Sequence, residues 1–136
     1  MTIVVAYAPD QFGAAALDAA LELAAAGPER RRVVVVNATK GDALVDARFA
    51  DAADLVSLES VLAEASVPTE LRQPVGADAA DAVLDVAGEV GASVVVVGLR
   101  PRTPVGKMLM GSVAQRILLD ATMPVLAVKP GQPRPW

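Results

Sequence analysis

The chain has no cysteine and no histidine, and aromatic residues make up only 3% of its 136 positions. Without cysteine it forms no disulfide, thiolate metal site or thiol nucleophile, which fits a reducing compartment. Without histidine it lacks the commonest general base and the commonest ligand of transition metals. Catalysis by this chain would therefore have to rest on a carboxylate or a bound metal ion. The scarcity of aromatics leaves the core to alanine, valine and leucine, as in a parallel sheet packed by alanine-rich helices.

A strong positive charge and a long apolar segment are also missing. The net charge of -4 argues against nucleic acid or an anionic membrane surface as the main partner. No apolar run reaches membrane-spanning length, and the first residues lack the basic start of a signal peptide. We therefore expect a cytoplasmic protein with one domain at residues 1–129, followed by a flexible, proline-rich tail at residues 130–136.

Five apolar runs alternate with segments of helical periodicity. The runs predict strands at residues 3–7, 33–36, 68–73, 93–97 and 124–128, the third of them near an edge of the sheet. Helices are predicted to begin at Asp10, Asp54, Asp78 and Gly111, the second with Leu55, Leu58, Val61, Leu62 and Ala65 facing inward. This order predicts an α/β fold: a single-domain, doubly wound, five-stranded parallel sheet with helices on both faces.

The segment between the fourth strand and the last helix is the main candidate for a binding site. It leaves the strand at Gly98, carries Arg100, Arg102 and Lys107, and enters the helix at Gly111-Ser112. Open α/β sheets bind ligands at the carboxyl ends of their strands, and a helix N-terminus offers free N–H groups to anions. The pattern favours a phosphate site, although the same glycines also suit an ordinary strand exit and helix start.

These residues resemble the universal stress protein (UspA-like) family. Its nucleotide-binding members carry a glycine, two residues, a glycine, nine residues, and then Gly-Ser or Gly-Thr. Gly98, Gly111 and Ser112 match that pattern, whereas Pro101 stands where the second glycine is expected. Proline offers no N–H to a ligand, and Gly106 is a nearby residue that restores some flexibility. The resemblance implies a Rossmann-like fold of the adenine nucleotide alpha hydrolase-like kind.

The same resemblance reveals a second departure. Family members that bind nucleotides commonly have an aspartate just after the first strand, where this chain has Ala8, with Asp10 two residues further on. The residues implied to bind a nucleotide are Gly98, Arg100, Gly106, Gly111, Ser112, Val113 and Asp10. No catalytic residue and no metal ligand is implied. Helix capping is the alternative role of Asp10.

Three functions stay open at this point. The first is a regulatory module that binds ATP, AMP or a related phosphorylated ligand, with Mg²⁺ entering only alongside the nucleotide. The second is a dimeric scaffold that has lost nucleotide binding, and the third and weakest is a slow ATPase. A homodimer is expected through the last strand, from Pro124 to Val128, because an apolar strand at a sheet edge invites pairing with a second copy.

Overall fold

The computed structural model describes residues 1–39, 41, 48–100 and 111–136. Its strands are β1 (Thr2–Ala6), β2 (Arg32–Val36), β3 (Thr69–Arg72), β4 (Val94–Gly98) and β5 (Val125–Val128). Its helices are α1 (Gln11–Ala25), α2 (Ala52–Glu64), α3 (Ala79–Glu89) and α4 (Ser112–Asp120). Within these ranges, no helix is both long and apolar enough to cross a membrane.

The strands form one parallel sheet in the order β3-β2-β1-β4-β5. Ile3 in the central strand pairs with Val33 of β2 and with Val94 of β4. The inner positions of β1, β2 and β4 are fully or almost fully buried, because helices cover both faces of the sheet. The predicted α/β fold is confirmed, and β3 lies at an edge as its partial alternation indicated.

Alternate residues of each strand supply two separate cores. Ile3 and Val5 face α1 and α2, and their core includes Leu17 and Leu58. Val4 faces α3 and α4, whose core includes Ile117. Since successive side chains of a strand point to opposite faces, one valine-rich strand serves both helical layers.

The start and the packing of α2 correct two predictions. The helix begins at Ala52 instead of Asp54, because Asp51 is its N-cap. Asp51 accepts from the Asp54 amide at 2.8 Å, and Asp54 accepts in return from the Asp51 amide at 3.1 Å, which makes a capping box. Of the five side chains predicted to face inward, Leu58 alone is fully buried and Val61 is exposed. The helix therefore covers the sheet along a narrow line.

The residues after β5 contact α1. Arg134 is mostly buried, and its Nε lies 3.1 Å from a carboxylate oxygen of Glu22. How flexible the 130–136 tail is stays a prediction.

Candidate functional site

A cleft opens at the carboxyl ends of β1 and β4. From β1 the chain continues outward to β2 and β3, whereas β4 and β5 lie on the other side of β1, so the order reverses between β1 and β4. This switch point is where open α/β sheets leave room for a ligand. The cleft is lined by Ala6, Tyr7, Ala8, Asp10, Phe12, Gly13, Val36, Ala38, Arg48, Ala79, Val83, Val97, Gly98, Arg100, Gly111, Val113 and Ala114.

The start of α1 forms one side of the cleft, and a side chain of this segment accepts hydrogen bonds from its first amides. The Asp10 carboxylate accepts from the amides of Phe12 at 3.0 Å and Gly13 at 2.8 Å. These are two of the N–H groups that the first turn of a helix leaves without an intrahelical acceptor. Asp10 is thus the predicted N-cap, and one of its oxygens is engaged inside the protein.

Two glycines let the start of α1 lie against the sheet. A Cβ at Gly98 would come within 2.2 Å of the Phe12 carbonyl oxygen, and one at Gly13 within 1.9 Å of the Ala8 carbonyl oxygen. Carbon atoms do not approach backbone this closely, so each position excludes any side chain. Gly98 therefore lines the cleft for a reason of packing that holds with or without a ligand.

Two arginines bring positive charge to the cleft. The Arg100 guanidinium lies over the Phe12 ring, with its Cζ 5.5 Å from the ring centroid, which is a cation–π distance. Arg48 lines the cleft from the segment that precedes α2. In the described ranges, no group of three or more acidic side chains is arranged to hold a metal ion.

The start of α4 forms the opposite side of the cleft and is built differently. Gly111 is its N-cap, and no side chain of the described residues accepts from its first turn. The first intrahelical bond runs from Gln115 to the Gly111 carbonyl at 3.0 Å, so the amides of Ser112 and Val113 precede the helical ladder. A Cβ at Gly111 would meet no described atom within 4 Å. Among the described residues, the first amides of this helix therefore have no side-chain acceptor, and Gly111 and Val113 line the cleft.

An ion-pair cluster ties α4 to the start of α3. Arg116 lies 3.0 Å from Asp78, the N-cap of α3, and also pairs with Asp81 and with Asp120. Each pair is partly exposed, so solvent screening keeps each of them weak. The pairs with Asp78 and Asp81 join α4 to α3, and the packing of Ala114 and Ile117 in the core holds α4 against the sheet.

Tyr7 belongs to the floor of the cleft and to the core beneath α1. Burial raises the pKa of its phenol above the ordinary value of 10.0, and the carboxylates of Asp54 and Asp10 raise it further. The hydroxyl therefore stays neutral throughout the neutral range.

Most of the predicted site residues lie together. Those that line the cleft are Gly98, Arg100, Gly111, Val113 and Asp10, and Ser112 stands exposed beside them. Gly106 and Pro101 lie outside the described residues. Sequence reasoning missed Arg48 and Phe12, which also line the cleft. A usable signal existed for Arg48, which is the sole basic residue between Lys40 and Arg72.

The sheet order and the cleft at the switch point define a Rossmann-like α/β protein of the adenine nucleotide alpha hydrolase-like fold. The model of the Universal stress protein family matches residues 1–129. A universal stress protein of Mycolicibacterium smegmatis is 49% identical over 131 residues, which cover 94% of this chain and 97% of that protein. The chain belongs to the universal stress protein family, as its motif indicated.

Solved structures of the family include complexes with nucleotides. The universal stress protein from Archaeoglobus fulgidus in complex with dAMP is 25% identical, with a TM-score of 0.63 over 94% of this chain and 96% of that chain. A universal stress protein in complex with cAMP is 25% identical, with a TM-score of 0.61 over 96% and 98% of the two chains.

Proposed function

We propose that this protein is a regulatory module that binds an adenine nucleotide, ATP or AMP, in the cleft between β1 and β4. The observation that carries the proposal is the start of α4, which lines the cleft and whose first amides have no side-chain cap among the described residues. Relatives solved with dAMP and cAMP support a nucleotide as the ligand.

The phosphates would meet the N–H groups of Ser112 and Val113 and the Ser112 hydroxyl. A helix N-terminus carries a partial positive charge, and Arg100 adds a full one at the same cleft. The base and sugar would lie over the apolar walls, which Val36, Ala38 and Val97 contribute. Mg²⁺ would enter only with the nucleotide.

The other side of the cleft limits the affinity. Ala8 places no carboxylate there, and the Asp10 carboxylate already accepts two amides of α1. A purine lying there would have to be recognised by backbone groups and by shape, which provide less binding energy than a charged partner. We therefore expect modest affinity.

Titration calorimetry with ATP and AMP, with and without Mg²⁺, tests the proposal. Ser112→Ala should weaken binding by about 1.5–3 kcal/mol, the contribution of a hydrogen bond to a charged group. Ser57, exposed on α2, is the matched control, and Ser57→Ala should bind like the wild type. If folded wild-type protein gives no heat at high micromolar nucleotide, nucleotide binding is refuted and the scaffold is favoured.

A dimeric scaffold is the second candidate function, and the two edges of the sheet favour it. On β3, Glu70 forms ion pairs with Arg72 and Arg32, and Arg72 also pairs with Glu89. Charged side chains at this edge disfavour pairing with a second copy. β5 reads Val-Leu-Ala-Val and carries no charge. An apolar edge strand without charged residues tends to pair with a strand of another molecule. Here the β5 strands of two copies would pair antiparallel about a two-fold axis.

Leu126→Lys tests the dimer. Two-fold pairing brings the centre of β5 against itself, so the variant would set like charges together and should be monomeric by light scattering. Val56→Lys is the control, since Val56 is 69% exposed on α2 and should tolerate a lysine. A monomeric wild type at micromolar concentration would refute the dimer, and a dimeric Leu126→Lys would move the interface away from β5.

A further inference from the structure

Asn37, directly after β2, is the one fully buried polar side chain in the described part of the molecule. Its Nδ2 donates to the carbonyls of Tyr7 at 3.0 Å and Arg48 at 2.7 Å. Its Oδ1 accepts from the Ala50 amide at 2.8 Å and from Gln73 Nε2 at 3.1 Å. An asparagine amide has two donor hydrogens and two acceptor lone pairs, so its full capacity is used.

These four bonds join three segments that are far apart in the sequence. Tyr7 follows β1, Arg48 and Ala50 precede α2, and Gln73 follows β3. The parallel ladder between β1 and β2 ends with the Tyr7 amide donating to Val36, and the Asn37 side chain adds the next bond. Asn37 therefore ties the segment before α2 to the carboxyl ends of the strands.

Two of the residues that Asn37 holds, Tyr7 and Arg48, line the cleft. They lie at its β1 and β2 end, whereas Gly111 lies at the start of α4. We propose that Asn37 is a positioning residue of the nucleotide site, which fixes Tyr7 and Arg48 beside the apolar walls over which the base and sugar lie. This inference rests on the proposed nucleotide binding.

The chemistry of the amide makes this role specific. An aspartate at position 37 has the same shape, but its ionised carboxylate donates no hydrogen bond and faces two carbonyl oxygens. Burial raises the pKa of such a carboxyl, and its neutral form donates one hydrogen bond again. In Asn37→Asp, Tyr7 and Arg48 should therefore be held less firmly as pH rises, and more firmly as pH falls.

The experiment measures AMP affinity for wild type and Asn37→Asp between pH 5.5 and 8. Dividing the two affinities at each pH cancels the titration of the AMP phosphate, and the ionisable residues near the cleft, Tyr7, Asp10, Arg48 and Asp54, are present in both proteins. We expect the wild-type advantage to grow about tenfold over this range, since each orphaned buried carbonyl is costly. The chain has no histidine to mask the effect.

Val33→Ala is the matched control for a general loss of stability. Val33 is fully buried on β2, the strand that precedes Asn37, at the end remote from the cleft. The ratio of the AMP affinities of Val33→Ala and wild type should not change with pH. Circular dichroism at each pH establishes that the compared proteins are folded.

A second variant provides a test if Asn37→Asp does not fold. Gln73→Leu removes the longest of the four bonds and leaves the other three, and we expect AMP to bind about threefold more weakly. A flat ratio for folded Asn37→Asp, or wild-type affinity in Gln73→Leu, would overturn the role of Asn37. Absence of AMP binding by the wild type would instead overturn the proposed function itself.

Discussion

The starts of α1 and α4 face the same cleft, yet they are built in opposite ways. At α1 a carboxylate caps the first turn and the backbone lies in contact with the sheet at Gly98. At α4 a glycine caps the helix and the space beside it is empty of described atoms. The first arrangement gives the helix start a side-chain acceptor, whereas the second leaves its first amides without one among the described residues, which is what the proposed phosphate site requires.

The contrast also separates two uses of glycine. Gly98 is required because the Phe12 carbonyl occupies the place of its Cβ, whereas Gly111 has extended backbone, with φ of -59° and ψ of 148°, that any residue adopts. Packing among the described residues therefore requires the first glycine, whereas it does not require the second. In the proposed nucleotide site, Gly111 would leave the amides of α4 accessible to phosphate.

The largest effect is expected at the closed helix start. Gly98→Ala forces the Phe12 backbone away and should lower the free energy of unfolding by about 3 kcal/mol or more, measured by urea denaturation. Gly88→Ala, in α3 with no atom within 4 Å of its added Cβ, is the control and should raise stability by up to about 1 kcal/mol. Equal stability of Gly98→Ala and wild type would mean that α1 does not pack as described.

At the start of α4, we expect a substitution of Gly111 to change AMP binding more than stability. Gly111→Asp gives α4 the kind of cap that Asp10 gives α1, so stability should rise by a few tenths of a kcal/mol, roughly. The new carboxylate would repel phosphate and occupy the amides, and AMP affinity should fall at least about tenfold by calorimetry.

Gly111→Asn separates charge from capping, because it caps without a negative charge. It should bind AMP more tightly than Gly111→Asp and more weakly than wild type. Full affinity in Gly111→Asp would exclude the start of α4 as the phosphate site.

The fold could be predicted because its signals are local. Unbroken valine runs mark buried parallel strands, and Asp10, Asp78 and Gly111 mark helix starts. The start of α2 was placed too late because Asp51 and Asp54 both suit an N-cap, and only the reciprocal bonds identify Asp51.

The candidate site was less predictable because contacts distant in the sequence create it. Asn37 has no partner within ten positions, so its four bonds depend on how three strands end together. The packing role of Gly98 likewise depends on α1, which no spacing within the 98–112 loop encodes.

The smallest effect concerns Tyr7, which tests how far the α1 side of the cleft excludes water from the phenol. Burial, together with Asp54 and Asp10, raises the phenol pKa in the folded protein, so the unfolded chain loses that proton first as pH rises. This contribution to stability is complete below pH 10 and is lost as pH passes through the folded pKa.

Between pH 9 and 11 the wild type should lose more stability than Tyr7→Phe, by less than about 1.4 kcal/mol because solvent screens a partly buried group. Denaturation curves at each pH measure the difference. Asp10→Asn should reduce it, and identical losses in wild type and Tyr7→Phe would mean that water reaches the phenol freely.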